Sequence, residues 1–113
     1  MRIAGTAVVA FYWDGSVPLP HPIRDVSRLG MYVTTSERWY LGTLLHLTID
    51  ALAGRTAGGL AGTTVDSMMV WSKVIRHGTD GVGFEFTLVK PKDRQKMARL
   101  VETARVLSEE RYA

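Results

Sequence analysis

The densest group of polar residues in the sequence is segment 24–30, which reads RDVSRLG. In an extended strand, side chains two positions apart point to the same face, so Asp25 and Ser27 would present a carboxylate beside a hydroxyl. Carboxylate oxygens match the N1–H and N2–H₂ donors of guanine. The planar guanidinium of Arg24 or Arg28 suits a phosphate, or the O6 and N7 acceptors of guanine. The segment is therefore a candidate site for a guanine nucleotide.

A tight turn is the alternative interpretation of the same segment. The side chains of Asp25 and Ser27 would then cap backbone N–H groups, and Gly30 would supply a positive φ angle. In the ligand interpretation, Gly30 instead lets the backbone turn and approach a ligand closely. Local turn chemistry on its own favours the turn, so the surrounding sequence has to decide between the two.

Catalytic and metal-binding patterns do not occur elsewhere in the sequence. His21, His46 and His77 are scattered, and none forms a His-x-x-x-His pair or stands beside a spaced carboxylate. No G-x-S-x-G nucleophile motif is found. The absence of cysteine excludes disulfides, thiolate metal sites and cysteine nucleophiles. We therefore predict a protein that is not an enzyme and that carries no metal or cofactor.

Length and composition predict one globular domain over residues 1–113, because 46% of the residues are hydrophobic and 22% are charged. The net charge of +3 permits an anionic ligand but falls well short of a DNA-binding arm. The longest nearly apolar stretch, Ile3 to Trp13, is too short to cross a bilayer, and no small-residue cleavage site ends it. We expect a mature cytoplasmic protein without a membrane span.

Short strands followed by one helix would position segment 24–30. The alternation of apolar residues and the β-branched and aromatic content predict strands over 6–13, 23–26, 30–35, 43–49, 65–77 and 82–88. Prolines at 18, 20 and 22 leave segment 17–22 as an edge strand or an extended arm. Turns are predicted at Asp14-Gly15 and at 78–81, and a glycine-rich loop is predicted over 53–62.

The last segment changes to a helical period after Pro91, which fits the first turn of a helix over about 91–108. The apolar stripe of this helix consists of Met97, Leu100, Val101, Ala104 and Leu107. About six antiparallel strands avoid an open hydrophobic edge by closing into a barrel, here over about 3–89. The predicted fold class is mainly all-β: a small six-stranded antiparallel β-barrel with a C-terminal amphipathic α-helix.

The order of these motifs resembles the PilZ domain family. The resemblance is carried by Asp25-x-Ser27-x-x-Gly30, the strand Met31-Tyr32-Val33 after it, the segment GVGFEF at 81–86 and the late helix, and it covers nearly the whole chain. PilZ domains are bacterial receptors for cyclic di-GMP, built as a six-stranded antiparallel barrel with a helix packed at one end. The resemblance therefore implies a signalling receptor or adaptor that binds cyclic di-GMP and performs no catalysis.

The same resemblance implies which residues bind the ligand. Asp25, Ser27 and Gly30 would contact the dinucleotide on the barrel surface. A residue of a later strand often contributes in this family, and Arg76 is the nearest candidate by position. Trp71 offers a stacking surface, but a tryptophan in a strand is more often buried, so we expect Trp71 in the core.

Members of the family that bind cyclic di-GMP carry an Arg-x-x-x-Arg arm just upstream of the first strand. This sequence begins Met1-Arg2, so Arg2 stands for at most the second arginine of the arm. Charge-assisted arginine contacts contribute about 1.5 to 3 kcal/mol each. Two such contacts change an affinity by roughly 10² to 10⁴. We therefore expect weak binding by the chain as it stands.

Two other functions are compatible with a small barrel. Some PilZ-like domains act through protein contacts and bind no nucleotide, and the missing arm favours that interpretation. A barrel that binds single-stranded nucleic acid would need aromatic residues interleaved with a basic groove. Because Phe11, Tyr12 and Trp13 are adjacent to one another, the sequence favours this third function least.

Overall fold

The predicted strands and the predicted helix are all represented in a computed structural model, which describes residues 3–4, 8–12, 20–53 and 63–110. The elements are β1 (Ile3–Ala4), β2 (Val8–Tyr12), β3 (His21–Val26), β4 (Gly30–Thr34), β5 (Leu44–Ala53), β6 (Thr63–His77), β7 (Gly81–Thr87) and α1 (Pro91–Glu110). The described residues contain no helix with the length and apolarity that a membrane crossing requires.

The strand pairing closes on itself. Strands β2, β5, β6, β7 and β4 pair in that order, and β3 pairs with both β4 and β2. The two-residue strand β1 pairs with the second half of β3, whereas β2 pairs with the first half. Six strands therefore form a closed antiparallel barrel, which confirms the predicted architecture and leaves this ring without an open edge.

The core lies inside the barrel and under α1. Val82, Phe84 and Phe86 point inward from β7, as their alternation predicts. The predicted helix stripe is also confirmed, since Met97 and Leu100 have no exposed surface and join the strand residues in one hydrophobic cluster. Burying this stripe is what fixes α1 against the barrel, because helices in proteins draw most of their stability from an apolar face.

Element boundaries differ from the prediction mainly where a strand is longer than its sequence signal. Strand β3 begins at His21, and Pro22 lies opposite Val9 of β2, so part of the predicted arm is paired strand. A proline removes only its own N–H donor, and the pairing of β3 with β2 is two residues long, so the loss is small. Strand β5 continues to Ala53. The predicted turn at Asp14-Gly15 and most of the predicted loop over 53–62 lie outside the described residues.

Candidate ligand-binding site

A β-bulge shapes segment 24–30 where β3 meets β4. Asp25 lies opposite Tyr32 of β4, and the register shifts between Ile23 and Asp25, so Arg24 is an extra residue in β3. Ile23 and Val26 are both buried in the core, while Arg24 is exposed and Asp25 is half-buried. The bulge thus places two adjacent charged side chains, Arg24 and Asp25, on the outer side of the barrel.

Asp25 belongs to a row of residues that crosses four strands. Asp25 lies opposite Tyr32 in β4, Tyr32 opposite Gly83 in β7, and Gly83 opposite Arg76 in β6. Strand β6 has its own register shift between Val74 and Arg76. The row therefore brings together Asp25 and Arg76, two predicted site residues that are far apart in sequence, although neither bulge was evident from the sequence.

Tyr32 is the centre of this row. Its neighbours Met31 and Val33 point into the core, so Tyr32 points outward, yet only 1% of it is exposed. The guanidinium carbon of Arg24 lies 3.8 Å from the centroid of the Tyr32 ring, and that of Arg76 lies 4.9 Å from it. The aliphatic stems of both arginines therefore help to cover the ring, and cation–π attraction holds both guanidinium groups close to it.

Glycines make room for this arrangement. A Cβ atom at Gly83 would lie 2.8 Å from Cγ of Arg76, so a side chain at Gly83 would displace the Arg76 side chain from its present position. A Cβ atom at Gly81 would lie 2.8 Å from Cε1 of Tyr32, and one at Gly78 would lie 2.8 Å from Cζ of the same ring. Both distances are too short for real carbon contacts, so the β6–β7 turn can reach Tyr32 because these positions are glycine.

Asp80, in the turn between β6 and β7, completes the cluster. The Tyr32 hydroxyl donates a 2.6 Å hydrogen bond to Oδ1 of Asp80, and Nη1 of Arg24 lies 3.6 Å from the same oxygen. Nε of Arg24 also lies 3.7 Å from Oδ2 of Asp25. The hydrogen bond from Tyr32 lowers the pKa of Asp80, and the same bond raises the pKa of Tyr32. We call Arg24, Tyr32, Arg76 and Asp80 the Tyr32 cluster.

Ser27 shows the turn chemistry that was the alternative interpretation. The N–H of Leu29 donates to Oγ of Ser27 at 3.2 Å, and the N–H of Ser27 donates to the carbonyl oxygen of Gly30 at 2.9 Å. The Ser27 hydroxyl is 3.5 Å from that carbonyl oxygen, the outer limit of a hydrogen bond. Ser27 therefore caps the turn, and its hydroxyl proton is held only weakly.

Gly30 does not have the positive φ angle expected for the turn. Among the described residues, the glycine with a positive φ is Gly42. A Cβ atom at Gly30 would instead collide with the carbonyl oxygen of Phe84 in β7. The expected positive φ is therefore wrong, and a glycine is required at position 30 because β4 and β7 approach each other closely there.

A comparison with protein-family models matches residues 6–103 to the PilZ domain. The chain belongs to the PilZ domain family. The fold is also that of solved PilZ domains. The PilZ domain of CeSA from a cellulose-synthesizing bacterium is 21% identical, with a TM-score of 0.60, over 90% of this chain and 95% of that one.

Two further solved structures have the same fold. The PilZ domain of YcgR from Escherichia coli, solved with c-di-GMP, is 15% identical with a TM-score of 0.66, over 99% of this chain and 94% of that one. An uncharacterized Legionella protein is 16% identical with a TM-score of 0.58, over 100% and 99% of the two chains. Comparison with curated protein sequences finds no significant match.

The other predicted site residues of this PilZ domain lie around the Tyr32 cluster or outside the described residues. Arg28 is exposed in the turn between β3 and β4. Arg2 lies outside the described residues. Sequence reasoning missed Tyr32 and Asp80. The signal that could have found them is the run of glycines at 78, 81 and 83, since closely spaced glycines around a turn indicate a close approach of another group.

Trp71 is not in the core of this PilZ domain, so that prediction is wrong. Trp71 is 51% exposed on the outer side of β6, between the inward-pointing residues Val70 and Ser72. Its ring stacks on His46 of β5 with the ring centroids 4.6 Å apart and the planes 13° apart. The sequence signal was ambiguous because apolar residues occupy both faces of β6 at this point.

Trp71 borders an open cleft of about 530 Å³ on the outer side of β2, β5 and β6. The residues that line it are mostly apolar or aromatic: Phe11, Tyr12, Leu44, Leu45, His46, Thr48, Met69 and Trp71. Leu44 and Met69 are more than half exposed. We call this region the Trp71 cleft. It gives the PilZ domain a second surface, chemically unlike the charged Tyr32 cluster.

Proposed function

We propose that this PilZ domain binds cyclic di-GMP on the outer face of β3, β4, β7 and β6. The observation that supports the proposal is the four-strand row from Asp25 to Arg76, which sets a carboxylate and two guanidinium groups on one face of the barrel. The family assignment supports it as well, and the YcgR PilZ domain with the same fold was solved with c-di-GMP.

The charges of this face match the chemistry of a cyclic guanine dinucleotide. The Asp25 carboxylate accepts the N1–H and N2–H₂ donors of a guanine, a pattern that adenine does not present. Arg24, Arg76 and the exposed Arg28 supply positive charge for the two phosphodiesters. The Ser27 hydroxyl contributes a further polar contact at the mouth of the turn. Gly30, buried against β7, keeps β4 in the position that this face needs.

Binding of this kind leaves the ligand chemically unchanged. The domain therefore acts as a regulatory receptor or adaptor, which we place in the cytoplasm, where a nucleotide second messenger is available. The process that it regulates depends on a downstream partner.

Titration calorimetry with cyclic di-GMP tests the proposal. Replacing Asp25 with Asn removes a charge-assisted acceptor, which contributes about 1.5 to 3 kcal/mol, so the affinity should fall by roughly 10- to 150-fold. The matched control is Asp66→Asn, which makes the same charge change ten residues along β6 from Arg76. Unchanged binding by the Asp25→Asn variant would contradict the assignment of the site.

The same titration measures the contribution of an arginine arm. A chain carrying an Arg-x-x-x-Arg segment before Met1 should bind more tightly by roughly 10² to 10⁴ than the chain without it, because two guanidinium contacts are added. An arm with two glutamines in place of the arginines is the control for added length. Equal affinity of the two extended chains would show that phosphate contacts come from the barrel alone.

The Trp71 cleft favours a second candidate function, a protein-interaction module that binds no nucleotide. Met69 is 63% exposed and Leu44 is 54% exposed, and clustered apolar exposure of this kind often marks a contact surface. Amide chemical shifts discriminate the two functions. If cyclic di-GMP leaves the amide signals of Asp25, Ser27 and Gly30 unmoved, the interaction module becomes the better interpretation.

A further inference from the structure

We propose that Asp80 sets the affinity of the ligand site by competing with the phosphodiester for Arg24. This inference rests on the proposed function and adds to it a residue that lies outside the Asp25-x-Ser27-x-x-Gly30 motif. Asp80 would act as an internal substitute for a ligand phosphate, holding Arg24 against Tyr32 until the ligand displaces it.

The contacts of Asp80 show how the competition would operate. One oxygen, Oδ1, accepts the 2.6 Å hydrogen bond from the Tyr32 hydroxyl and lies 3.6 Å from Nη1 of Arg24. Arg24 also faces Asp25, at 3.7 Å from its Nε. The guanidinium of Arg24 is therefore turned toward two carboxylates on its own barrel. A phosphate that binds Arg24 must share that group with Asp80 or replace it.

Asp80 lies where its negative charge would act on a phosphate bound to Arg24. Arg24 lies over the ring whose hydroxyl donates to Asp80, so a phosphate that contacts the Arg24 guanidinium comes close to Asp80. The side chain of Asp80 is 56% exposed and that of Arg24 is 51% exposed, so both are open to a ligand. Carboxylate and phosphate repel each other there, and the repulsion weakens with salt.

Contacts of the β6–β7 turn hold Asp80 at this point. Close approach of the turn to Tyr32 depends on Gly78 and Gly81, where a Cβ atom would collide with the ring. The turn is also tied to the barrel through its backbone, since the N–H of Thr35 donates to the carbonyl oxygen of Asp80. Asp80 is therefore fixed relative to Tyr32, whereas the long side chain of Arg24 can leave it.

The test is a cyclic di-GMP titration of the wild type, Asp80→Asn and Asp66→Asn at about 0.05 M and about 0.5 M salt. Asparagine keeps an oxygen acceptor for the Tyr32 hydroxyl and removes only the charge. We expect Asp80→Asn to bind about two- to fivefold more tightly at low salt, as for loss of one exposed repulsive charge. The gain should shrink at high salt, and Asp66→Asn should match the wild type.

The results separate failure of this inference from failure of the proposed function. Binding by the wild type with equal or weaker binding by Asp80→Asn overturns the role of Asp80 and leaves the ligand site standing. A gain that does not change with salt also overturns it, because a purely structural effect would not be screened. If none of the three proteins binds cyclic di-GMP, the proposed function fails and the inference fails with it.

A measurement without ligand examines the contact itself. The phenol of Tyr32, followed by NMR, should titrate above its ordinary range in the wild type and move down toward that range in Asp80→Asn, because the carboxylate no longer stabilises the protonated hydroxyl. Identical Tyr32 titrations in the two proteins would show that Asp80 does not hold the hydroxyl in solution, and the inference would be overturned.

Discussion

Tyr32 and Trp71 are aromatic residues that both point outward from the same barrel, yet Tyr32 is buried and Trp71 is exposed. Tyr32 is 1% exposed and Trp71 is 51% exposed. Tyr32 lies beside Gly83, which leaves space for Arg76 to fold over the ring, and a bulge delivers Arg24 to the same place. Trp71 has His46 stacked beside it and an open cleft around it.

On the outer face of this small barrel, the burial of an aromatic side chain therefore depends more on the residues next to it than on the type of aromatic residue. The aliphatic stems of arginines, together with a turn rich in glycine, can cover an aromatic ring. The Tyr32 cluster therefore combines a rigid platform with accessible charge, which suits a polar anionic ligand. The Trp71 cleft exposes apolar surface with few charges, which suits a contact with another apolar surface.

The largest difference between the two regions should appear in stability. Tyr32→Ala removes a fully covered ring and should lower the free energy of unfolding by about 3 kcal/mol or more. Trp71→Ala removes a half-exposed ring and should cost about 1 kcal/mol or less. Urea denaturation of both variants checks this. Tyr32→Phe keeps the ring as a control and should cost about 1 kcal/mol for the lost hydrogen bond. Equal losses for the two alanine variants would contradict the comparison.

The fold could be predicted from the sequence because its signals are local. The alternation of Val82, Phe84 and Phe86 and the helical spacing after Pro91 each depend on one segment, and the structure confirms both. Strand ends were less predictable. Strand β5 runs on to Ala53 because pairing with β6 continues after the strong alternation has faded.

The candidate site was only partly predictable because its geometry depends on pairing across strands. Asp25, Ser27 and Arg76 could be selected from the sequence, but the bulges that align Asp25 with Arg76 arise from the register of the closed barrel. The sequence around Tyr32 is that of an ordinary strand, and nothing in it indicates the two arginines that lie over the ring. No pattern around the tyrosine itself distinguishes a covered outward ring from an open one, and the glycines at 78, 81 and 83 indicate only that some group approaches their turn.

A smaller effect on the free energy of unfolding should distinguish two basic residues that lie close together on β6. Arg76 covers the Tyr32 ring, whereas Lys73 makes an exposed 3.8 Å ion pair with Glu85. Arg76→Ala should lower the free energy of unfolding by about 1 kcal/mol, because it removes a cation–π contact and uncovers the ring. Lys73→Ala should change it by about 0.5 kcal/mol or less, as is usual for surface ion pairs. Denaturation curves that give the same loss for both would show that Arg76 does not protect Tyr32.

The smallest expected effect is a pH dependence that belongs to the Tyr32 cluster. The pKa of Asp80 is lowered in the folded protein, so its contribution is present above the ordinary value of 3.8 and is lost as the pH falls through the folded pKa. The pKa of Tyr32 is raised, so its contribution is present below 10.0 and is lost as the pH rises through the folded pKa.

The stability of the wild type relative to Asp80→Asn should therefore be greatest between about pH 4 and about pH 10 and should decline on both sides. Denaturation midpoints measured through that range and beyond both of its limits provide the test, with Asp66→Asn as the control for a carboxylate lost from β6, outside the Tyr32 cluster. Because Asp80 is exposed and screened by solvent, the advantage should be small at every pH. Parallel profiles for the wild type and Asp80→Asn would mean that the hydrogen bond from Tyr32 to Asp80 adds no more stability than the neutral bond that replaces it. The cover over Tyr32 would then be due to Arg24 and Arg76 alone.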